Sequence, residues 1–216
     1  MTQISQALEN ESFSSPHAIG ANIEVLRQVT APATNFGVWQ RPVEPSIARE
    51  LAFLRAQDMR EMRRQTSQDS FCEDVCDVLR EQGLDPQAFQ CLRADMSRLA
   101  DCFFDVTQAS EARFRLVATD SDDCRRFHVD RVQMRMLCTY RGPGTEWLPD
   151  EQVDRVAQAS CAPNEAIIRF GEPSQLETFW VGMMKGDPKN EGTGLVHRSP
   201  AISGSGQTRV LFCMDC

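Results

Sequence analysis

The sequence predicts an α+β protein, with helices in its N-terminal half and a barrel or sandwich of antiparallel strands in its C-terminal half. Three observations carry this. Apolar residues recur at three- and four-residue spacing as far as Phe103. From Arg113 the period changes to two, as in ARFRLVAT. Beyond Trp147 the apolar runs are short and punctuated by Gly and Pro, at Gly171, Pro173, Gly186, Pro188, Gly192 and Gly194.

Residues 1–45 read as an N-terminal arm, rich in Asn, Ser, Thr and Pro, with scattered apolars such as Ile23, Val25, Leu26 and Trp39 and a short helix at 21–28. Residues 46–216 read as a single domain, a helical scaffold over 46–108 and a β-barrel core over 109–216. Pro45 and Ser46 open the first helix, which places Ile47, Leu51, Leu54 and Met62 roughly on one face of SIARELAFLRAQDMREMRRQ. A second helix runs from Asp69, as cap, through Phe71, Val75 and Leu79 to Gly83, a residue suited to a left-handed stop. Asp85-Pro86 opens a third, carrying Phe89, Leu92, Met96, Leu99 and Phe103. Met, Cys and Phe at helical spacing mark scaffold rather than site.

After ARFRLVAT and the polar turn DSDDCRR comes the stretch FHVDRVQMRMLCTYRGPGTEW, residues 127–147, around which the chain is organised. Read as one strand, it puts His128, Asp130, Val132, Met134, Met136, Cys138 and Tyr140 on one face. That face is nearly apolar, with two polar groups together at one end, as a site at the mouth of a small barrel requires. Arg135 falls on the other parity with no evident partner. The turn Arg141-Gly142-Pro143-Gly144 ends the strand, and Trp147 and Leu148 lead into a short helix capped by Asp150. Further strands are expected at 166–170, 176–184, around His197, and at 208–214.

A net charge of −8 and a pI near 5.0 argue against nucleic acid or an anionic membrane as partner, because the summed field repels polyanions. No apolar run approaches the roughly 18 residues that span a bilayer, and MTQISQALENESFSSP has neither a basic start nor an apolar centre. The expectation is a soluble, cytoplasmic protein. The nine cysteines are odd in number and scattered, which points to reduced thiols. Cys213 and Cys216 form the one CxxC, and without a second pair they make no zinc site of the usual kind.

The chain has three histidines, His17, His128 and His197. His128 and Asp130 form a His-x-Asp, and His197 follows a Gly-rich lead in GLVHRSP. Arg209 stands twelve residues later in the last apolar run, TRVLFCM. Two histidines and a carboxylate bind one face of a metal such as non-haem Fe(II) and leave the opposite face open.

This ordered set resembles the double-stranded β-helix oxygenases that use Fe(II) and 2-oxoglutarate. The resemblance implies N-terminal helices packed on a C-terminal double-stranded β-helix, a cupin or jelly-roll-like core. It implies His128, Asp130 and His197 as iron ligands and Arg209 as the anchor for the distal carboxylate of 2-oxoglutarate. HRSP followed by SGSGQTR is similar to the phytanoyl-hydroxylase-like branch. Many of these enzymes place Ser or Thr two residues after the Arg. Here that position is Leu211, and Tyr140 and Lys185 are the candidates for a second polar contact with the cofactor. More closely, TYRGPGTEW and the chain length resemble a bacterial family of uncharacterised proteins, the domain of unknown function 1826. The function implied is a hydroxylase-type oxygenase acting on a small molecule or a peptide. Two alternatives stand beside it. One is a cupin-like protein holding Zn(II) through the same residues without oxidation, with a part in metal homeostasis. The other is an interaction protein in which these residues form a satisfied polar cluster.

Overall fold

The computed structural model describes residues 16–189 and 191–216. In chain order the strands are β1 (His17–Gly20), β2 (Phe36–Trp39), β3 (Met62–Thr66), β4 (Ala112–Thr119), β5 (Met134–Arg141), β6 (Glu146–Leu148), β7 (Ser174–Gln175), β8 (Val181–Lys185), β9 (Val196–Arg198) and β10 (Arg209–Asp215). The α-helices are α1 (Pro45–Leu51), α2 (Phe71–Glu81), α3 (Gln90–Thr107), α4 (Arg155–Ala159) and α5 (Asn164–Ile167). A seven-stranded sheet has the order β1-β2-β8-β5-β10-β4-β3, and a three-stranded sheet the order β7-β6-β9. Every described pairing of these strands is antiparallel except β1 with β2.

Alternation along β10 shows how the layers form. Val210, Phe212 and Met214 point into a core shared with α1, α2 and α3. Leu211 and Cys213 point the other way, into a layer with Leu137, Phe36, Met184 and Trp147 that joins the large sheet to the small one. A third cluster, Phe127, Leu148, Val153, Ile167 and Val196, seals the outside of the small sheet. The result is a helix layer, a large sheet and a small sheet.

The second and third helices form where the spacing places them. Gly83 has φ 75°, its N–H bonds to Arg80 O, and Leu84 N–H reaches back to Leu79 O, a Schellman stop that only a residue tolerant of positive φ makes cheaply. Asp85 caps the turn that leads into α3, and the Glu50 carboxylate from α1 accepts the free N–H groups of Cys91 and Leu92.

Several expectations are corrected. Helices do not simply precede strands, because β1, β2 and β3 all come before α2. Of the stretch expected as an arm, residues 1–15 lie outside the described residues, while β1, a 3-10 helix at Ile23–Thr30 and β2 build one edge of the large sheet. The first helix ends at Leu51, where the Arg141 guanidinium donates to the carbonyls of Leu51 and Leu54. Residues 62–66, expected as its continuation, are drawn into strand β3 by pairing with β4. Residues 166–170 are not a strand; they hold the end of α5 and a single bridge between Ile168 and Val153. Asp154 rather than Asp150 caps the short helix α4.

No helix among the described residues is long and apolar enough to cross a membrane. All nine cysteines are free. Cys213 and Cys216 fall on opposite sides of the large sheet, one in the layer between the sheets and the other against the helix-side core, so the CxxC does not converge.

Candidate metal centre and its pocket

The face that carries the site is the opposite of the one expected from parity. β5 begins only at Met134, and residues 128–133 before it are irregular, so alternation does not run through from His128. Met136, Cys138 and Tyr140 enter the helix-side core, while Arg135 and Leu137 line a pocket between the sheets.

His128 and His197 meet as an isolated antiparallel bridge. His128 N–H donates to His197 O and His197 N–H to His128 O, both at 3.0 Å. Directly opposed residues send their side chains to the same face, and the rings stand 4.6 Å apart, tilted by 47°. Asp130 is brought to them by its own backbone. Asp187 N–H donates to Asp130 O and Gly186 N–H to Gln133 O. That approach needs a glycine, since a Cβ on Gly186 would lie 2.1 Å from Val132 O and 2.8 Å from Asp130 O.

The donor atoms fit a metal ion. Each histidine offers Nδ1 to a backbone carbonyl two residues earlier, His128 to Arg126 at 2.8 Å and His197 to Leu195 at 3.2 Å. A carbonyl only accepts, so each Nδ1 carries a proton, and the neutral form of each ring turns its Nε2 lone pair inward. Those atoms face a carboxylate, with Nε2 of His128 3.6 Å from Asp130 Oδ1 and Nε2 of His197 3.2 Å from Oδ2. Three electron-pair donors within 4.8 Å of one another repel unless a cation lies between them. Ions of this class bind N and O at about 2.0–2.2 Å, which sets ligand atoms roughly 3–3.5 Å apart. Oδ1 also receives Arg135 at 2.7 Å, whereas Oδ2 is buried without a hydrogen bond, the oxygen left for a metal.

Burial alone would raise the Asp130 carboxyl, but His197, His128 and Arg135 around it hold it well below the usual carboxylate range. Burial lowers His128, but the Asp130 carboxylate and the Arg126 carbonyl together outweigh that, leaving it raised. Arg135, bridging Asp130 and Asp215, is the residue sequence reasoning missed. Its partner Asp215 lies 80 positions away, and no local pattern signals it.

Arg209 lines the same pocket from the first position of β10 and is 1 % exposed. Its guanidinium donates to the hydroxyls of Thr145 at 2.8 Å, Thr139 at 3.3 Å and Ser199 at 3.5 Å, and its Nε is buried without a partner. Among the described residues it meets no carboxylate. Burial pushes its pKa down to about 10.

Two expected cofactor contacts lie elsewhere. Tyr140 sits in the helix-side core and donates to Asp95 Oδ2 at 2.7 Å, beside the Arg41–Asp95 ion pair. Burial and the neighbouring Cys138 and Asp95 push its phenol well above the usual value. Lys185, at the end of β8, donates through Nζ to Ala31 O and does not line the pocket.

The layers and the His/Asp/His cluster define a mixed α+β protein with a large, mainly antiparallel sheet, in the manner of the double-stranded β-helix fold of 2-oxoglutarate oxygenases. The chain belongs to the family described as protein of unknown function (DUF1826), whose model matches residues 20–215. No curated protein matches it. Among solved structures it is similar to AtDAO1, dioxygenase for auxin oxidation 1 from Arabidopsis thaliana, in a binary complex with 2-oxoglutarate. That likeness has a TM-score of 0.52 at 8% identity, over 93% of this chain and 91% of that one, and is a likeness of fold. Also found are AviO1 from Streptomyces viridochromogenes Tue57, at TM-score 0.41 and 14% identity over 91% and 96% of the two chains, and a Pseudomonas putida prolyl-4-hydroxylase, at 0.37 and 10% over 82% and 95%.

Proposed function

We propose that this chain is an Fe(II)- and 2-oxoglutarate-dependent oxygenase of the hydroxylase type, acting on a small molecule or a peptide. The observation that carries the reading is Arg209, a guanidinium buried without a carboxylate in the pocket that holds His128, Asp130 and His197. Burying a charge without a counter-ion is costly. A buried planar fork is the complement of a carboxylate, which it grips through two parallel bonds. Arg209 would therefore hold the distal carboxylate of 2-oxoglutarate.

His128 Nε2, Asp130 Oδ2 and His197 Nε2 would hold the iron. When bound, Fe(II) supplies the chemistry by which substrate, O2 and 2-oxoglutarate become hydroxylated substrate, succinate and CO2. Arg135 keeps Oδ1 occupied and Oδ2 turned inward, and the backbone carbonyls of Arg126 and Leu195 fix both histidine tautomers. The layer around Leu137, Leu211 and Trp147 keeps water from the site's inner wall.

Succinate release by the purified protein supplied with Fe(II), 2-oxoglutarate and O2 tests this. The expected result is slow succinate formation without added substrate, abolished in Asp130→Ala and strongly reduced in Arg209→Leu. Tight binding of Zn(II) or Fe(II) with no response to 2-oxoglutarate would overturn the reading in favour of a metal-binding protein without oxygenase activity.

A further inference from the structure

The pocket carries the wrong sign for its protein. The chain has a net charge of −8, and 21 of its basic residues are arginine. Seven of those arginines and three aspartates line this one cavity of about 350 Å³, a formal excess of four positive charges among its described lining residues. Arg209, Arg135 and Arg198 are accounted for: the first is assigned above to the cosubstrate, the second holds Asp130, and the third pairs with Glu146 and lies over the Phe127 ring. Arg63, Arg113, Arg115 and Arg131 remain at the mouth.

Their placement is costly to the fold. Arg63 and Arg115 are directly opposite each other on β3 and β4, and like charges so placed on an antiparallel pair destabilise it. Glu61 is shared between them, at 2.7 Å from Arg63 and 3.3 Å from Arg115. Arg113 reaches Asp215 at 3.4 Å, a carboxylate already bound to Arg135 at 3.0 Å. Arg131 makes no ion pair among the described residues. Two carboxylates thus serve four guanidiniums, and a fifth has none.

We infer that the substrate of this pocket is a small anion, bearing a phosphate or several carboxylates, gripped at the mouth by Arg63, Arg113 and Arg115. The inference rests on the oxygenase reading for its reaction but not for its binding. Arginine forks match both oxyanion types. The cavity falls in the range of small-ligand sites, and the acidic chain around it repels an extended polyanion, so a metabolite fits better than a nucleic acid.

Calorimetric titration of the metal-free full-length protein with inorganic pyrophosphate and with tricarballylate, beside neutral glucose, tests it. The expected result is one site for at least one anion and none for glucose. The tighter of the two names the source. Affinity should fall about tenfold for each guanidinium removed in Arg63→Gln and Arg115→Gln, and fall with added salt. Arg63 is exposed, so an unchanged melting temperature in Arg63→Gln keeps the comparison clean. No binding of either anion, binding unaffected by these substitutions, or displacement of both by a short single-stranded oligonucleotide would overturn the inference. Succinate formation without anion binding would remove it and leave the oxygenase reading; anion binding without 2-oxoglutarate turnover would do the reverse.

Discussion

Replacing Arg209 by methionine should leave the ligand-free fold about as stable as the wild type while removing the response to 2-oxoglutarate. At neutral pH the guanidinium is charged, so the penalty of burying it is fully present. Exchanging buried charge for apolar volume is neutral to stabilising by roughly 1–4 kcal/mol. Against this, the hydroxyls of Thr139 and Thr145 lose a donor, about 1 kcal/mol each. The sum lies within about 2 kcal/mol of zero, or roughly 4–8 °C in either direction for a chain of this size. An arginine present for structure would behave otherwise, since three bonds from a charged donor at about 1.5–3 kcal/mol each would cost about 5 kcal/mol or more. In metal-loaded wild type, 2-oxoglutarate at about a hundred times its Kd adds about 2.7 kcal/mol. Losing one partner of a buried charge pair costs about 2–5 kcal/mol in binding, so the same concentration should add less than about 1 kcal/mol to the variant. Urea unfolding followed by circular dichroism, with and without 2-oxoglutarate, measures both terms. A loss of about 5 kcal/mol in the ligand-free variant, or undiminished stabilisation by 2-oxoglutarate, would refute the reasoning.

Asp130→Asn removes the ligating charge and should weaken metal binding by more than about a hundredfold, read by chelator competition, while the variant still folds. Wild-type metal affinity should fall with falling pH, because Nε2 of both histidines must be free of protons. His128 has a raised pKa, so its proton begins to compete at a higher pH than that of an ordinary histidine, and dye competition from about pH 8 to about pH 5.5 shows where the decline begins. Tyr140→Phe should lose about 1.5–3 kcal/mol of stability in urea unfolding, with its bond to Asp95, and leave 2-oxoglutarate binding unchanged. Gly186→Ala pushes a Cβ into the carbonyls of Val132 and Asp130 and should weaken metal binding about tenfold by displacing the Asp130 loop, measured by the same chelator competition.

Much of the local structure is legible in the sequence where one periodicity holds through a whole element. The set Leu92, Met96, Leu99 and Phe103 marks α3, and the alternation of ARFRLVAT and TRVLFCM marks β4 and β10. The sequence misleads where a distant strand decides. Met62 continues the apolar stripe of Ile47 and Leu51, yet β4 recruits it into β3, and nothing within that window reports the pairing. The same holds for β1 and β2, whose partners are each other and β8. For the site, the spacing of His128, Asp130, His197 and Arg209 is enough to select four residues that line one pocket. It does not place Tyr140, because the irregular residues 128–133 break the parity on which its assignment depends. Arg135 is obscured by the same break, which hides its pairing with Asp130, and its second acidic partner, Asp215, lies at the end of β10.

Anaerobic titration of the purified protein with Fe(II) and then 2-oxoglutarate tests the central claim most directly, through the weak visible charge-transfer absorption of a keto acid chelated to iron. The account predicts that the band appears and that it is lost in His128→Ala and Arg209→Leu. Its absence from protein that still binds one Fe(II) or Zn(II) would contradict the assignment of the cosubstrate and leave a metal-binding protein.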